Sequence, residues 1–222
     1  TIAEKWNRIL ALDPDADLYM PAADDDPYIV PGYDVKLLDA AAKFPDGIGW
    51  VFGRMANASF TGVMAFTRKT IEMMGGKMYV EHFPYWFVDH WCDDIARMTG
   101  RISYTDVGTD QSKVGKTQEL REPAWWATFF DACYLIRRRQ AHAIINHPDF
   151  VSPDWHRGIL LAHHPLFEYR SRWVNDNVRA NSKNLEGWSG LNTQDARYLR
   201  LKERAKAYVP LILSDPEMPE AE

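Results

Sequence analysis

The sequence predicts an α/β fold followed by a helical segment, and three observations support this prediction. Short apolar runs alternate with amphipathic stretches between residues 2 and 116, as in a mixed sheet flanked by helices. The first strand-like run leads directly into three consecutive aspartates. From residue 123 onwards, the apolar residues recur mainly at helical spacing. We therefore divide the chain into an α/β part (1–116), a helical extension (117–213) and an acidic, flexible tail (214–222).

The boundaries of the predicted elements follow from capping and turn residues. The predicted order is a helix over 2–12, a strand over 18–22, a helix over 35–44, strands over 47–53 and 60–66, helices over 68–74 and 83–99, a strand over 101–107, and helices over 123–146 and 194–208. Thr1 and Glu4 have the spacing of a capping box, and Thr67 is the N-cap of the short helix. Gly100 ends the helix that precedes the last strand.

The composition limits the class of protein. A chain of 222 residues, 46% of them hydrophobic, is long enough for one sizeable core, and its net charge of −5 argues against a broadly basic nucleic-acid-binding surface. Cys92 and Cys133 lack the spacing of a disulfide framework or a metal site, so we expect two free core thiols. The sequence has no transmembrane-length apolar run and no signal-peptide pattern, which predicts a soluble cytoplasmic protein.

The acidic run Asp24-Asp25-Asp26 is a candidate metal site. Ligands of open α/β sheets bind beyond the carboxyl ends of the strands, and this run directly follows a predicted strand. Hard divalent cations take oxygen ligands, so Asp24 and Asp26 can hold such a cation against a diphosphate. The alternative is an acidic loop that caps the following helix and is otherwise solvated.

The helix predicted over 83–99 carries a second group of carboxylates. Asp89 and Asp93 are four residues apart and Asp94 follows, so like charges share one helix face. We expect Asp93 and Asp94 to be solvated, with Arg97 nearby. Asp89, close to Trp91 in the sequence, has two open interpretations: a solvated side chain or a functional carboxylate in a partly apolar place.

Two further segments, at 108–116 and 137–139, contain basic residues. The loop over 108–116 contains Asp110 and two lysines, and it is either a plain connection or a lid over phosphate. The run Arg137-Arg138-Arg139 is expected to be a solvated flank of the long helix.

Several of these features occur in an order that points to a known family. They are Ala3 to Asn7, the strand into Asp24-Asp25-Asp26, Pro31 to Asp34, the strand with Gly62, Arg68 to Gly76, and Asp89-His90-Trp91. In order and spacing, residues 2–116 resemble the second half of a GT-A-fold glycosyltransferase of the inverting family 2 kind, especially its small bacterial and phage-type members. The resemblance covers about half of the chain.

The resemblance implies a fold, a reaction and a set of site residues. It implies transfer of a sugar from a nucleotide-sugar donor, most commonly a UDP-sugar, to an acceptor hydroxyl, with Asp89 as the base. It implies Mn²⁺ or Mg²⁺ held by Asp24 and Asp26, with Asp110 in place of a histidine that relatives often carry after the last strand. The implied nucleotide- and donor-binding residues are Lys5, Asn7, Asp24, Asp25 and Gly62. Trp50, Tyr85 and Trp86 are candidates for sugar stacking, with core packing as the alternative for each.

The resemblance is incomplete at the amino-terminal side. In the family, the strands that bind the base and ribose come before the helix that contains Asn7, whereas only residues 1–16 precede the first predicted strand. Either the chain is part of a longer protein, or its nucleotide-binding fold is incomplete. The second alternative predicts a non-catalytic sugar- or partner-binding module, with the Trp-rich stretches at 86–91 and 125–126 as interface surface. A third hypothesis is phosphoryl transfer or hydrolysis at a carboxylate–metal site. The helical extension is expected to form an acceptor-binding wall or an oligomer interface.

Overall fold

The computed structural model of the protein describes residues 1–22, 28–54, 63–83, 87–109, 126, 129–130, 133–152, 200 and 203. The elements of this part are, in chain order, α1 (Ile2–Leu10), β1 (Leu18–Tyr19), α2 (Tyr33–Ala41), β2 (Trp50–Arg54), β3 (Met64–Thr67), α3 (Arg68–Met73), α4 (Val88–Thr99), β4 (Ile102–Gly108) and α5 (Tyr134–Ile145). The prediction of a mixed α/β fold is confirmed at this level.

The four strands form one mixed sheet in the order β1-β3-β2-β4. Strand β3 is antiparallel to both β1 and β2, whereas β2 and β4 are parallel. Trp50 on β2 lies opposite Phe66 on β3 and Ile102 on β4. The parallel pair is joined through β3, α3 and α4, so the intervening helices can cover the sheet.

The sheet packs helices on both faces, but the two layers differ in thickness. Side chains alternate along a strand, so Trp50 and Phe52 point to one face and Val51 points to the other. The thick layer contains residues of α1, α3, α4 and α5, including Trp91, which is fully buried. The thin layer consists mainly of α2, whose Leu37 packs with Val51. Most of the core therefore lies between the sheet, α4 and α5.

Two predicted boundaries were wrong for a visible backbone reason. The helix predicted from residue 83 begins at Val88, because Phe87 adopts a left-handed conformation (φ 73°) that interrupts a right-handed helix. The strand predicted from residue 47 begins at Trp50, because Gly47 has φ +71° and the Asp46 carboxylate accepts a hydrogen bond from the backbone N–H of Ile48.

The first strand is also shorter than predicted. It comprises only Leu18 and Tyr19, both half-buried, and within the described sheet it lies at the edge rather than in the centre. The predicted caps are confirmed: Glu4 N–H donates to the Thr1 hydroxyl in a capping box, and the Thr67 side chain accepts from Thr70 N–H. The segment 60–62 and most of the predicted 123–133 helix lie outside the described residues.

A buried carboxylate joins three distant segments at one end of the sheet. The side chain of Asp46 is 1% exposed, and its Oδ2 atom lies 2.7 Å from a guanidinium nitrogen of Arg101. The same oxygen accepts from the backbone N–H of Val151 at 2.8 Å. The Arg101 guanidinium also covers the Phe150 ring at 4.1 Å. Asp46 thus connects the start of β2, the start of β4 and the segment after α5.

Replacement of Asp46 by alanine should strongly destabilise the fold. The change leaves the half-buried Arg101 without this carboxylate, and we expect the free energy of unfolding to fall by about 3 kcal/mol. Denaturant unfolding measures the loss. Asp39→Ala, which truncates an exposed aspartate on α2, is the control and should change stability by less than about 0.5 kcal/mol. Equal effects of the two substitutions would contradict the structural importance of Asp46.

Candidate functional site

The carboxylate of Asp89 lies in the first turn of α4 and is the candidate catalytic group that the structure describes. Its side chain is 33% exposed. The Oδ1 atom accepts a hydrogen bond from the backbone N–H of His90 at 2.9 Å and lies 2.9 Å from the Nδ1 atom of the same residue. The amino terminus of a helix favours negative charge, so this position suits an ionised carboxylate.

The surroundings of Asp89 keep its carboxylate ionised. Burial raises the pKa of Asp89, but the charge and hydrogen bonds of His90 outweigh burial and hold the pKa below its ordinary value. Burial raises the pKa of Tyr79 and Cys92 well above their ordinary values, and the Asp89 charge adds to both shifts. At neutral pH the site thus contains one anionic carboxylate beside two neutral groups. An ionised, partly exposed carboxylate is a chemical form that can accept a proton.

The backbone is strained two residues before Asp89. Phe87 is the one non-glycine residue with a positive φ among the residues that the structure describes. Such a conformation costs about 1–3 kcal/mol and persists only where the surroundings enforce it. The Phe87 ring stacks on Phe130 at 5.3 Å and lies 5.4 Å from the His90 ring, so aromatic packing supplies the constraint.

A polar cavity lies near this helix. It has a volume of about 200 Å³, and its polar lining comprises Lys77, Tyr79, Glu81, His82 and Gln140. Lys77 and Glu81 form an ion pair at 3.2 Å. The indole N–H of Trp91 on α4 donates to the side-chain oxygen of Gln140 at 2.8 Å, which connects the cavity wall to the helix that carries Asp89.

Asn7 fixes one wall of this cavity. Its Nδ2 atom donates to the carbonyl of Tyr79 at 2.8 Å and to the Glu81 carboxylate at 3.0 Å. Its Oδ1 atom accepts from the backbone N–H groups of Met78 and Tyr79 at 3.0 and 3.2 Å. Lys5 is exposed on the same helix. Asn7 therefore has a structural function in the free protein, and the nucleotide contacts of Asn7 and Lys5 stay predictions.

The other predicted site residues lie outside the described part of the chain: Asp24, Asp25, Asp26, Gly62, Asp110, Tyr85 and Trp86. The residues next to two of these groups are described. Tyr28, two positions after Asp26 in the sequence, forms an antiparallel β-bridge with Thr109, the residue before Asp110. The adjacent Ile29 N–H donates to the carbonyl of Gly108 at 3.3 Å. The chain segments that flank the acidic run and Asp110 are thus paired.

The predicted solvation of three charged residues was wrong. The side chain of Asp93 is 0% exposed and lies 3.1 Å from the Nε atom of Arg97. The side chain of Asp94 is 5% exposed and lies 3.0 Å from the Nε atom of Arg137, which is itself 0% exposed. Helix α5 packs on α4 and supplies Arg137 as the partner of Asp94. The Asp93–Arg97 spacing was readable from the sequence, whereas the Asp94–Arg137 pair joins two separate helices and had no sequence signal.

The structure decides between the alternatives given for several aromatic residues. Trp50 is fully buried in the core, so it does not present a sugar-stacking face. Trp91 and Trp126 are buried as well, which removes them from the predicted interface surface. Cys92 and Cys133 are buried free thiols, as predicted.

No protein family, characterised protein or solved structure that we compared with the chain matches it. Among the described residues, no group of three or more His, Cys, Asp or Glu side chains is placed to hold a metal ion; the predicted ligands Asp24, Asp26 and Asp110 lie elsewhere in the chain. No helix in the described ranges is long and apolar enough to cross a membrane.

Asn7→Ala tests the structural function of Asn7. The change removes four hydrogen bonds between α1 and the 78–81 segment, and we expect the free energy of unfolding to fall by about 2 kcal/mol. Asn146→Ala, at an exposed position just after α5, should change it by less than about 0.5 kcal/mol. Denaturant unfolding without any nucleotide measures both. Wild-type stability of Asn7→Ala would contradict the structural function.

Asp89 and Asp94 should affect the pH dependence of stability with opposite signs. The pKa of folded Asp89 lies below its ordinary value, so its contribution is present above the ordinary pKa and is lost as pH falls through the lowered one. Burial raises the pKa of Asp94, although Arg137 partly opposes this shift. The contribution of Asp94 is therefore present at low pH and lost as pH rises between its ordinary and raised pKa.

Denaturant unfolding of the wild type, Asp89→Asn and Asp94→Asn as a function of pH measures these contributions. The stability of the wild type relative to Asp89→Asn should rise with pH through the acidic range. Its stability relative to Asp94→Asn should fall over the window above the ordinary aspartate pKa. The same sign for both comparisons would contradict the assigned environments.

Proposed function

We propose that this chain is a GT-A-like, metal-dependent inverting glycosyltransferase that moves a sugar from a nucleotide-sugar donor to an acceptor hydroxyl. The observation that carries the proposal is the bridge between Tyr28 and Thr109. It joins the segment that follows the acidic run to the segment that precedes Asp110, and these two places in the sequence supply the proposed metal ligands.

The donor set suits a hard divalent cation. Asp24, Asp26 and Asp110 offer only carboxylate oxygens, which are the ligands that Mg²⁺ and Mn²⁺ accept. When bound, such an ion neutralises charge on the leaving diphosphate. We propose Asp25, Lys5, Asn7 and Gly62 as neighbours of the nucleotide-sugar, as the resemblance implies.

Asp89 is the proposed base: its carboxylate is partly exposed and ionised at neutral pH, and its lowered pKa makes it a weaker base than a free aspartate. The acceptor hydroxyl has to lose a proton as its oxygen attacks the anomeric carbon, and an ionised carboxylate can take that proton. Both the Asp89 charge and Tyr28 raise the pKa of the buried Tyr79, which indicates that Tyr79 lies within electrostatic range of both.

We further propose that the helical extension contributes to acceptor binding. Gln140 on α5 lines the polar cavity together with Lys77, Glu81 and His82 from the α3–α4 connection. Such a mixture of amide, carboxylate and cationic side chains suits the hydroxyl groups of a glycan acceptor. The buried free thiols of Cys92 and Cys133 support a reducing compartment such as the cytoplasm.

Calorimetry tests donor binding by the full chain. We expect UDP or GDP, or one of their sugars, to bind with a Kd on the order of micromolar in the presence of Mn²⁺ and not after chelation. Asp26→Ala should abolish this binding, and the exposed Asp39→Ala should not. The absence of metal-dependent binding to the folded protein would contradict the transferase proposal and favour a sugar- or partner-binding module. Phosphate release without sugar transfer would instead indicate hydrolysis.

Asp89→Asn separates binding from chemistry. The amide keeps the shape of the side chain but cannot act as a base at neutral pH. We expect donor binding within about twofold of wild type and a loss of transfer of at least about 100-fold. Calorimetry and a donor-consumption assay with the identified nucleotide sugar measure the two effects. Unchanged transfer would remove Asp89 from the role of base.

A further inference from the structure

The aromatic ring of Phe130 connects three groups around the candidate site. It stacks on Phe87, the strained residue directly before α4, at 5.3 Å and an interplanar angle of 27°. It meets the His90 ring edge-on at 6.3 Å. On another side, the guanidinium carbon of Arg137 lies 3.7 Å from the ring centroid. Phe130 therefore stands between Arg137 on α5 and the first turn of α4.

Arg137 is held in place on several sides. Its guanidinium donates to the backbone carbonyl of Phe130, and it lies 5.2 Å from the Trp91 ring. Its Nε atom pairs with the Asp94 carboxylate at 3.0 Å, where both side chains are removed from solvent. A buried, planar guanidinium with partners on its edge and its face is pre-organised, so it can hold the groups that it touches in one orientation.

Asp94 relates the Asp94–Arg137 ion pair to His90. The two residues are four positions apart on α4 and so share one helix face. His90 lowers the pKa of Asp94 through its charge, which indicates that the two side chains interact. The His90 ring is buried, its Nδ1 atom lies 2.9 Å from Asp89 Oδ1, and it contacts the rings of Phe87 and Phe130.

We propose that Arg137 is a positioning residue for the Asp89–His90 pair. It fixes the Phe130 ring on one side of the His90 imidazole and the Asp94 carboxylate on another, and so keeps the Nδ1 atom of His90 at hydrogen-bond distance from Asp89. The helical extension then contributes directly to the geometry of the candidate base. The catalytic meaning of this arrangement rests on the function proposed above, whereas the arrangement itself can be tested in the free protein.

The charged side chains near the Asp89–His90 pair have partners of opposite charge on α4 and α5. On α4, Asp94 and Arg97 lie within one or two turns of His90, and Arg97 pairs with Asp93. On α5, Arg137 is paired with Asp94. The remaining titratable neighbours of Asp89, Tyr79 and Cys92, are neutral because burial raises the pKa of each. His90 is therefore the main described group that lowers the pKa of Asp89.

The decisive experiment is a carboxyl ¹³C and imidazole ¹⁵N NMR titration of the full chain without substrate. In Arg137→Met, the His90 ring should no longer be held against Asp89, so only the backbone hydrogen bonds still oppose the effect of burial on the pKa of Asp89. We expect the titration midpoint of Asp89 to rise by about one pH unit, with loss of the slowly exchanging Nδ1 proton of His90. Arg139→Met, which changes an exposed arginine of the same helix, should alter neither signal.

Phe130→Leu provides a second, milder variant that removes the shared ring and keeps the site apolar. It should shift the Asp89 midpoint in the same direction, and it decides the question if Arg137→Met does not fold. A folded variant with reduced stability but an unchanged Asp89 midpoint and His90 signal would overturn the proposal, because Arg137 would then only stabilise the fold.

Activity data separate this proposal from the proposed function. If transfer is detected, Arg137→Met should lower kcat at least about tenfold and leave the KM for the donor within about twofold. A shifted Asp89 midpoint in a protein whose transfer is insensitive to Asp89→Asn would support the positioning function and contradict the proposed role of Asp89 as base. If the Asp89 midpoint is unshifted in Arg137→Met and Asp89→Asn abolishes transfer, the result would support Asp89 as the base and contradict the positioning function of Arg137.

Discussion

Helix α4 has to place two adjacent carboxylates, Asp93 and Asp94, inside the protein, and this constraint shapes the centre of the structure. A buried charge is tolerated only with a partner, because removal from water costs several kcal/mol. Asp93 finds its partner one turn along the same helix, in Arg97. Asp94 requires a residue from elsewhere, and Arg137 on α5 supplies it. The docking of α5 on α4 thus depends on the Asp94–Arg137 ion pair as well as on apolar contacts.

That docking determines the surroundings of the first turn of α4. Once Arg137 is in place, Phe130 lies over the helix start and packs against Phe87 and His90. The strained backbone of Phe87 then has the aromatic packing that it needs to persist. Asp89, at the solvent-facing edge of this packing, stays ionised through His90. A half-exposed carboxylate on a rigid, well-packed helix is a suitable position for chemistry, because its supporting groups are themselves immobile.

The two layers on either side of the sheet differ in their content. The thick layer on the α4 side contains the aromatic core, the polar cavity and the candidate base, and Asn7 of α1 ties the cavity wall to this layer by four hydrogen bonds. The thin layer under α2 contains smaller residues such as Val51 and Ala65. The bridge between Tyr28 and Thr109 adds a contact between the proposed metal-binding segments.

The sequence by itself determined the local features of this protein. The Thr1 capping box, the Thr67 cap and the stop at Gly100 depend on neighbouring residues only, so their patterns were sufficient. It also singled out Asp89. Only the tertiary structure decided the burial of Asp94, the pairing with Arg137, the core position of Trp50 and the late start of α4 at Phe87. Each of these depends on a contact between segments far apart in the chain, and local propensity carries no information about which distant residue will balance a charge or hold a strained backbone.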